Sequence, residues 1–155
     1  MRTIGDFDDM IANLPVLLDK LKSGSALRRD DLSGVPERGI YAFYENGNPV
    51  YVGRSSGLRS RLLAHGRPSS GHNTATFAFI LAMEQAQERE LSALSLKRSP
   101  REKDPEFREL YTYAKKRVSK MKIRVVEVIN PIEQTVFETY ASLALRTPYN
   151  TFENH

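Results

Sequence analysis

An α+β fold, with a small antiparallel sheet of about three strands flanked by helices, is the class this sequence predicts. Three observations carry the prediction. Residues 39–44 and 49–52 are rich in β-branched and aromatic side chains and flank Glu45-Asn46-Gly47-Asn48, where Asn-Gly supplies the positive φ angles of a tight hairpin. A third β-branched run, 123–129, stands far along the chain. Around these runs apolar residues recur at three- and four-residue spacing, the period of a helix buried on one face.

The elements follow in order. Over 6–23, Phe7, Met10, Ile11, Leu14, Leu17, Leu18 and Leu21 predict helix, with Asp6 as N-cap, Pro15 dividing the run into two helices and Gly24 ending it. Residues 24–38 read as a connecting loop, and the hairpin comes next. Residues 56–66 return to helical spacing: Leu58 and Leu62 face a core, while Arg61 and His65 share an adjacent face. A polar loop, 66–75, precedes a helix over 76–96 whose first half is apolar (Phe77, Phe79, Ile80, Leu81, Met83). Residues 97–105 form a charged, proline-bearing break. A basic helix over 105–121 carries the stripe Phe107, Leu110, Tyr111, Ala114 and Val118. The strand at 123–129 leads into a last helix, with Asn130 as cap, Pro131 in the first turn and Glu133 three residues after the cap. Thr147-Pro148 stops it.

Composition excludes several classes. The 155 residues are 40% hydrophobic and 27% charged, enough for one domain with a real core. No apolar run approaches the ~20 residues of a membrane span, and the N-terminus lacks the charged-then-apolar order of a secretory signal. No cysteine is present, which removes disulfides, thiolate zinc sites and cysteine nucleophiles and fits a reducing cytoplasm. His65, His72 and His155 show no paired zinc spacing. No glycine run has phosphate-loop or dinucleotide spacing, and no serine sits in a nucleophile turn. The net charge of +4 is uneven: +3 over 35–81 and +4 over 82–122, with acidic ends. A positive middle suggests a face for a polyanion.

One constellation carries chemistry. Gly39-Ile40-Tyr41 opens the first strand of the hairpin, and Tyr51-Val52-Gly53 lies in the second. Arg61 follows Gly53 by eight residues and His65 by four more; Glu138 lies in the last helix, and Asn150 twelve residues later. Singly, each has an ordinary reading: a strand tyrosine packs, a helical glutamate is solvated, an Arg–His pair on a helix is surface. Together, in this order, they resemble the GIY-YIG nuclease superfamily, over roughly residues 37–152, with an unmatched stretch near 70–120 where members vary. Valine replaces isoleucine in the second motif and keeps a β-branched apolar residue.

The resemblance implies a GIY-YIG-like fold and hydrolysis of a nucleic-acid phosphodiester by Tyr41, Tyr51, Arg61, His65 and Glu138, supported by Gly39, Gly53 and Asn150. A guanidinium such as Arg61 binds the charge developing on phosphorus oxygens with paired hydrogen bonds. Glu138 is the implied ligand of Mg²⁺ or Mn²⁺, whose charge compensates the leaving oxygen. One carboxylate binds Mg²⁺ weakly, so firm binding is expected only with DNA present. Tyr41 is the implied proton acceptor, although a phenol ordinarily titrates near ~10. His65, with an ordinary pKa near ~6.5, is suited to relay the proton. Tyr51 positions the water, and Asn150 ties the last helix to the sheet.

Arg54, Arg59, Arg67, His72, Lys115 and Lys116 are the expected contacts to phosphate, with the basic segment 97–122 as a second DNA surface. His72, in its polar loop, equally suits turn hydrogen bonds. A single domain over 1–155 is expected, with a helical extension at 1–36 and a helical, basic insertion at 76–122. With five residues after Asn150, a standalone restriction-, phage- or toxin-like endonuclease acting on double-stranded DNA in the cytoplasm is the leading expectation. To cut both strands of a palindrome it would form a homodimer. The alternatives are a nucleic-acid-binding module that keeps the fold without catalysis and a protein-interaction or toxin domain on the same scaffold.

Overall fold

The Asn46-Gly47 turn forms as expected. The strands β1 (Gly39–Glu45) and β2 (Asn48–Ser55) run antiparallel about Asn46 at φ 53° and Gly47 at φ 80°, both in the left-handed region that matches strand twist. Strand β3 (Lys122–Glu127) pairs antiparallel with the other side of β1, giving the order β2-β1-β3. These elements come from a computed structural model, which describes residues 4–152. The N-terminal Met1-Arg2-Thr3 stretch and His155 lie outside the described residues.

The chain, expected as one domain, groups into two compact units. The first holds the residues up to Arg59 and those from Lys122 onward; the second is Ser60–Met121. The second unit therefore begins well before the helical insertion expected at residue 76.

In the first unit, Ile40, Ala42 and Tyr44 share one face of β1 and enter a buried cluster with Val52 and Val126. Helices α1 (Ile4–Ser23) and α6 (Pro131–Leu145) cover that face with Leu14, Leu17, Leu21, Phe137 and Ala141. Tyr41 and Phe43, on the opposite face, are buried as well. Burial on both sides explains why residues 40–44 read as one continuous apolar run rather than an alternation. The N-terminal helix, expected as an extension of the domain, contributes its leucines to this core.

Two expectations for α1 are corrected. The helix runs straight through Pro15 as one element. Burial of Leu14, Leu17 and Leu21 around the proline outweighs the one backbone N–H it removes. Asp6 lies within the first turn instead of capping it, where its charge still faces the positive end of the helix. The start of α6 is as expected: Asn130 Oδ1 accepts from the N–H groups of Ile132 and Glu133.

Helix α2 (Leu58–Gly66) leads into the second unit. There α3 (Thr76–Glu88) ends eight residues earlier than expected, because Arg89 caps it and Glu90 turns to φ 53°. A 3₁₀ turn (Ser92–Ser95) follows. The expected charged break contains a short helix α4 (Arg98–Lys103), and α5 (Pro105–Ser119) starts on Asp104, whose side chain accepts from Phe107 N–H. Phe79 packs against Phe107 and Tyr111 at ring separations of 5.2 and 5.5 Å. Among the described residues no helix is long and apolar enough to cross a membrane.

Candidate active site

Gly53 pairs with Tyr41 across the hairpin, and directly paired residues share a face. A Cβ at Gly53 would stand 2.2 Å from both Cζ and Oη of Tyr41. The Tyr41 ring therefore crosses onto β2 and lays its hydroxyl over Gly53. Phe43 meets that ring edge-on at 5.6 Å. Tyr51 pairs with Phe43, lies two residues before Gly53 on the same face and is half-buried. Gly39 answers to the other neighbour: an added Cβ would meet the Val126 carbonyl oxygen at 2.1 Å. Both motif glycines are thus demanded by close approach.

As an edge strand, β2 turns N–H and C=O groups outward that need other partners. Asn150 supplies them at Val52. Its Oδ1 accepts from Val52 N–H and its Nδ2 donates to the Val52 carbonyl, both at 2.8 Å. One side-chain amide pairs with the strand as a further peptide would, and Thr147 Oγ1 donates to the same Oδ1 at 2.8 Å. This is the tie expected of Asn150.

Every second residue of an antiparallel edge faces outward in this way, so Arg54 follows Val52. Its side-chain Nε lies 3.9 Å from Glu138 Oε1. Burial on α6 raises the Glu138 pKa, and the Arg54 guanidinium and then its backbone pull it back part of the way. Tyr41 and Glu138, far apart in sequence, therefore reach consecutive residues of one edge strand, Gly53 and Arg54.

Arg61 and His65 belong to the second unit. Arg61 donates through its two Nη atoms to the Thr74 carbonyl and to Thr76 Oγ1, each at 3.1 Å, which fixes the guanidinium at the start of α3. Two of its five N–H donors are used in this way. His65 is fully buried. Desolvation, and then the Arg61 charge, lower its pKa to about 3. The proton-relay role expected of it rested on an ordinary pKa, whereas burial here disfavours the charged imidazole.

Compared with protein-family models, curated proteins and solved structures, this chain matches none of them.

The expected phosphate contacts divide. Arg54, Arg59, Arg67 and Lys116 are exposed, Arg54 while also meeting Glu138. His72 is engaged by Glu102 of α4: Nδ1 lies 2.5 Å from Glu102 Oε2, and the same oxygen accepts from His72 N–H at 3.3 Å. Lys115 is corrected outright. It is buried, its ammonium donates to the carbonyls of Pro68 and Ser70 at 2.6 and 2.9 Å, and it lies over the Tyr111 ring at 4.4 Å. Desolvation lowers its pKa. Its place four residues after Tyr111 and three before Val118 puts it on the buried stripe, a signal the sequence already carried. Glu102 was missed, since nothing in the sequence marks it as the anchor of a loop thirty residues away.

Among the described residues no group of three or more His, Asp or Glu gathers to hold a metal. Of the expected site residues Glu138 is the carboxylate that could offer an oxygen to a hard cation, and Arg54 Nε stands 3.9 Å from that oxygen.

Proposed function

We propose that the chain is a metal-dependent endonuclease of the GIY-YIG kind that hydrolyses phosphodiester bonds in double-stranded DNA. The observation that carries the reading is the convergence of Tyr41 and Glu138 on Gly53 and Arg54 of the edge strand. Tyr41 as its phenolate takes the proton of a water that attacks phosphorus, the P–O bond to the leaving oxygen breaks, and Tyr51 orients the water. Glu138 would hold Mg²⁺ or Mn²⁺, which when bound supplies positive charge for the leaving oxygen. Arg61, to which the resemblance assigns the phosphate, offers the donors its two threonine partners leave. Arg54 adds an exposed cation beside Glu138.

One observation favours a second reading, a nucleic-acid-binding module without catalysis. Glu138 already has a cation beside it, Arg54 Nε at 3.9 Å from its Oε1. Supercoiled plasmid with Mg²⁺ or Mn²⁺ separates the two. The parent should nick or linearise it, EDTA should abolish cutting, and Glu138→Gln and Tyr41→Phe should be inactive. Discrete fragments indicate a sequence-specific enzyme, and a smear a promiscuous one. Equal cutting by Glu138→Gln would sink the mechanism. Salt-dependent DNA binding by both proteins, with no cutting in either metal, would establish the second reading.

A further inference from the structure

The second unit carries a basic cleft that the cleavage chemistry does not use. Helices α4 and α5 and the segment 68–70 enclose about 550 Å³, a volume in the range of small-ligand sites. On α5, Arg108, Thr112 and Lys115 fall at three- and four-residue spacing and so line one wall. Lys103 joins them from α4. Against these three cations the lining offers one carboxylate, Glu102, which His72 already engages. Lys115 fixes the far wall through Pro68 and Ser70. Among the described residues neither Lys103 nor Arg108 is in an ion pair. At Lys115 the Glu102 charge outweighs that of Arg108, so Lys103 and Arg108, at the open side of the cleft, are the cations left for a ligand.

Beyond Arg108 and Thr112 the surface continues as a more apolar groove of about 600 Å³, bounded by Pro105, Tyr113 and Lys116. Lys103, Arg108 and Thr112 line both hollows, so the two are continuous. Tyr113 is 67% exposed, a flat aromatic face in a groove whose lining holds three cations, Lys103, Arg108 and Lys116, against one carboxylate, Glu109. A phosphate needs fixed cations, and an unstacked base needs an apolar plane beside them. A duplex keeps its base faces stacked and has no use for that plane.

We propose that the second unit binds a segment of single-stranded nucleic acid, with phosphate held by Lys103 and Arg108 and a base stacked on Tyr113. This goes beyond the cleavage reading and does not depend on it. The test is binding alone, by fluorescence anisotropy of a labelled oligothymidylate in EDTA, on Glu138→Gln protein so that no strand is cut. Tyr113→Ala should weaken binding roughly ten-fold while Tyr113→Phe retains it. Arg108→Ala should weaken it and lower the salt dependence by about one phosphate contact. Both residues are exposed, and unchanged thermal melts will show that the variants fold. Binding indifferent to Tyr113→Ala and Arg108→Ala would overturn the proposal. So would equal competition by a duplex, or a free mononucleotide that binds as tightly as the strand, which would make the cleft a small-nucleotide site.

Discussion

Acid should unfold this protein through His65. Burial, and secondarily the Arg61 charge, lower its pKa from 6.5 to about 3 in the fold. The unfolded chain restores the ordinary value. Between the two, the unfolded state binds a proton that the folded state refuses, so stability falls as pH falls. The contribution is fully present above 6.5 and is exhausted near 3. Linkage makes the loss about 2 kcal/mol by about pH 5, with a limiting slope of about 1.4 kcal/mol per pH unit. That is a large share of the stability of a typical domain. Urea unfolding followed by circular dichroism at a series of pH values measures it, with His65→Gln as the comparison that has no such proton to gain. Other titrating groups act in both proteins and cancel in the difference. The parent should lose about 2 kcal/mol more than His65→Gln between neutral pH and about pH 5. Parallel curves would show that His65 is not held neutral by burial, and would restore its use as a proton relay.

The edge strand yields three further outcomes. Gly53→Ala places a methyl 2.2 Å from the Tyr41 hydroxyl; the ring must move, and a loss of about 1–3 kcal/mol in urea melts should accompany loss of plasmid cutting. Asn150→Asp keeps the acceptor for Val52 N–H but removes the donor to its carbonyl; thermal melts should register a loss of about 1–3 kcal/mol. Arg54→Ala removes the charge that holds down the Glu138 pKa. Because metal binding needs the carboxylate ionised, the acid limb of the cleavage pH profile should move to higher pH, and an unmoved limb would exclude Glu138 as the group it reports.

Local features of this protein were legible wherever a residue's effect is confined to its own turn of chain. Asn46-Gly47 turns a hairpin wherever it falls between strands, and Asn130-Pro131 starts a helix by its own hydrogen bonds. The apolar spacing around Leu14 announced the first covering helix, and the Asn130-Pro131 start announced the second. Pro15 misled because its local cost is small beside the burial of leucines on both sides. Lys115 misled because charge was read as exposure, when its aliphatic stem follows the buried stripe and only two carbonyls satisfy its head.

By itself the sequence determined the hairpin, the third strand, most of the helices and the α+β class, and named the candidate site residues, since propensity, periodicity and capping act over a few neighbours. Only tertiary structure decided what those residues do. It laid the Tyr41 hydroxyl over Gly53, set Glu138 on Arg54 and spent Asn150 on Val52. It also buried His65 until its pKa fell. Desolvation, close approach and edge pairing belong to chain segments brought together from far apart, and no local spacing encodes them.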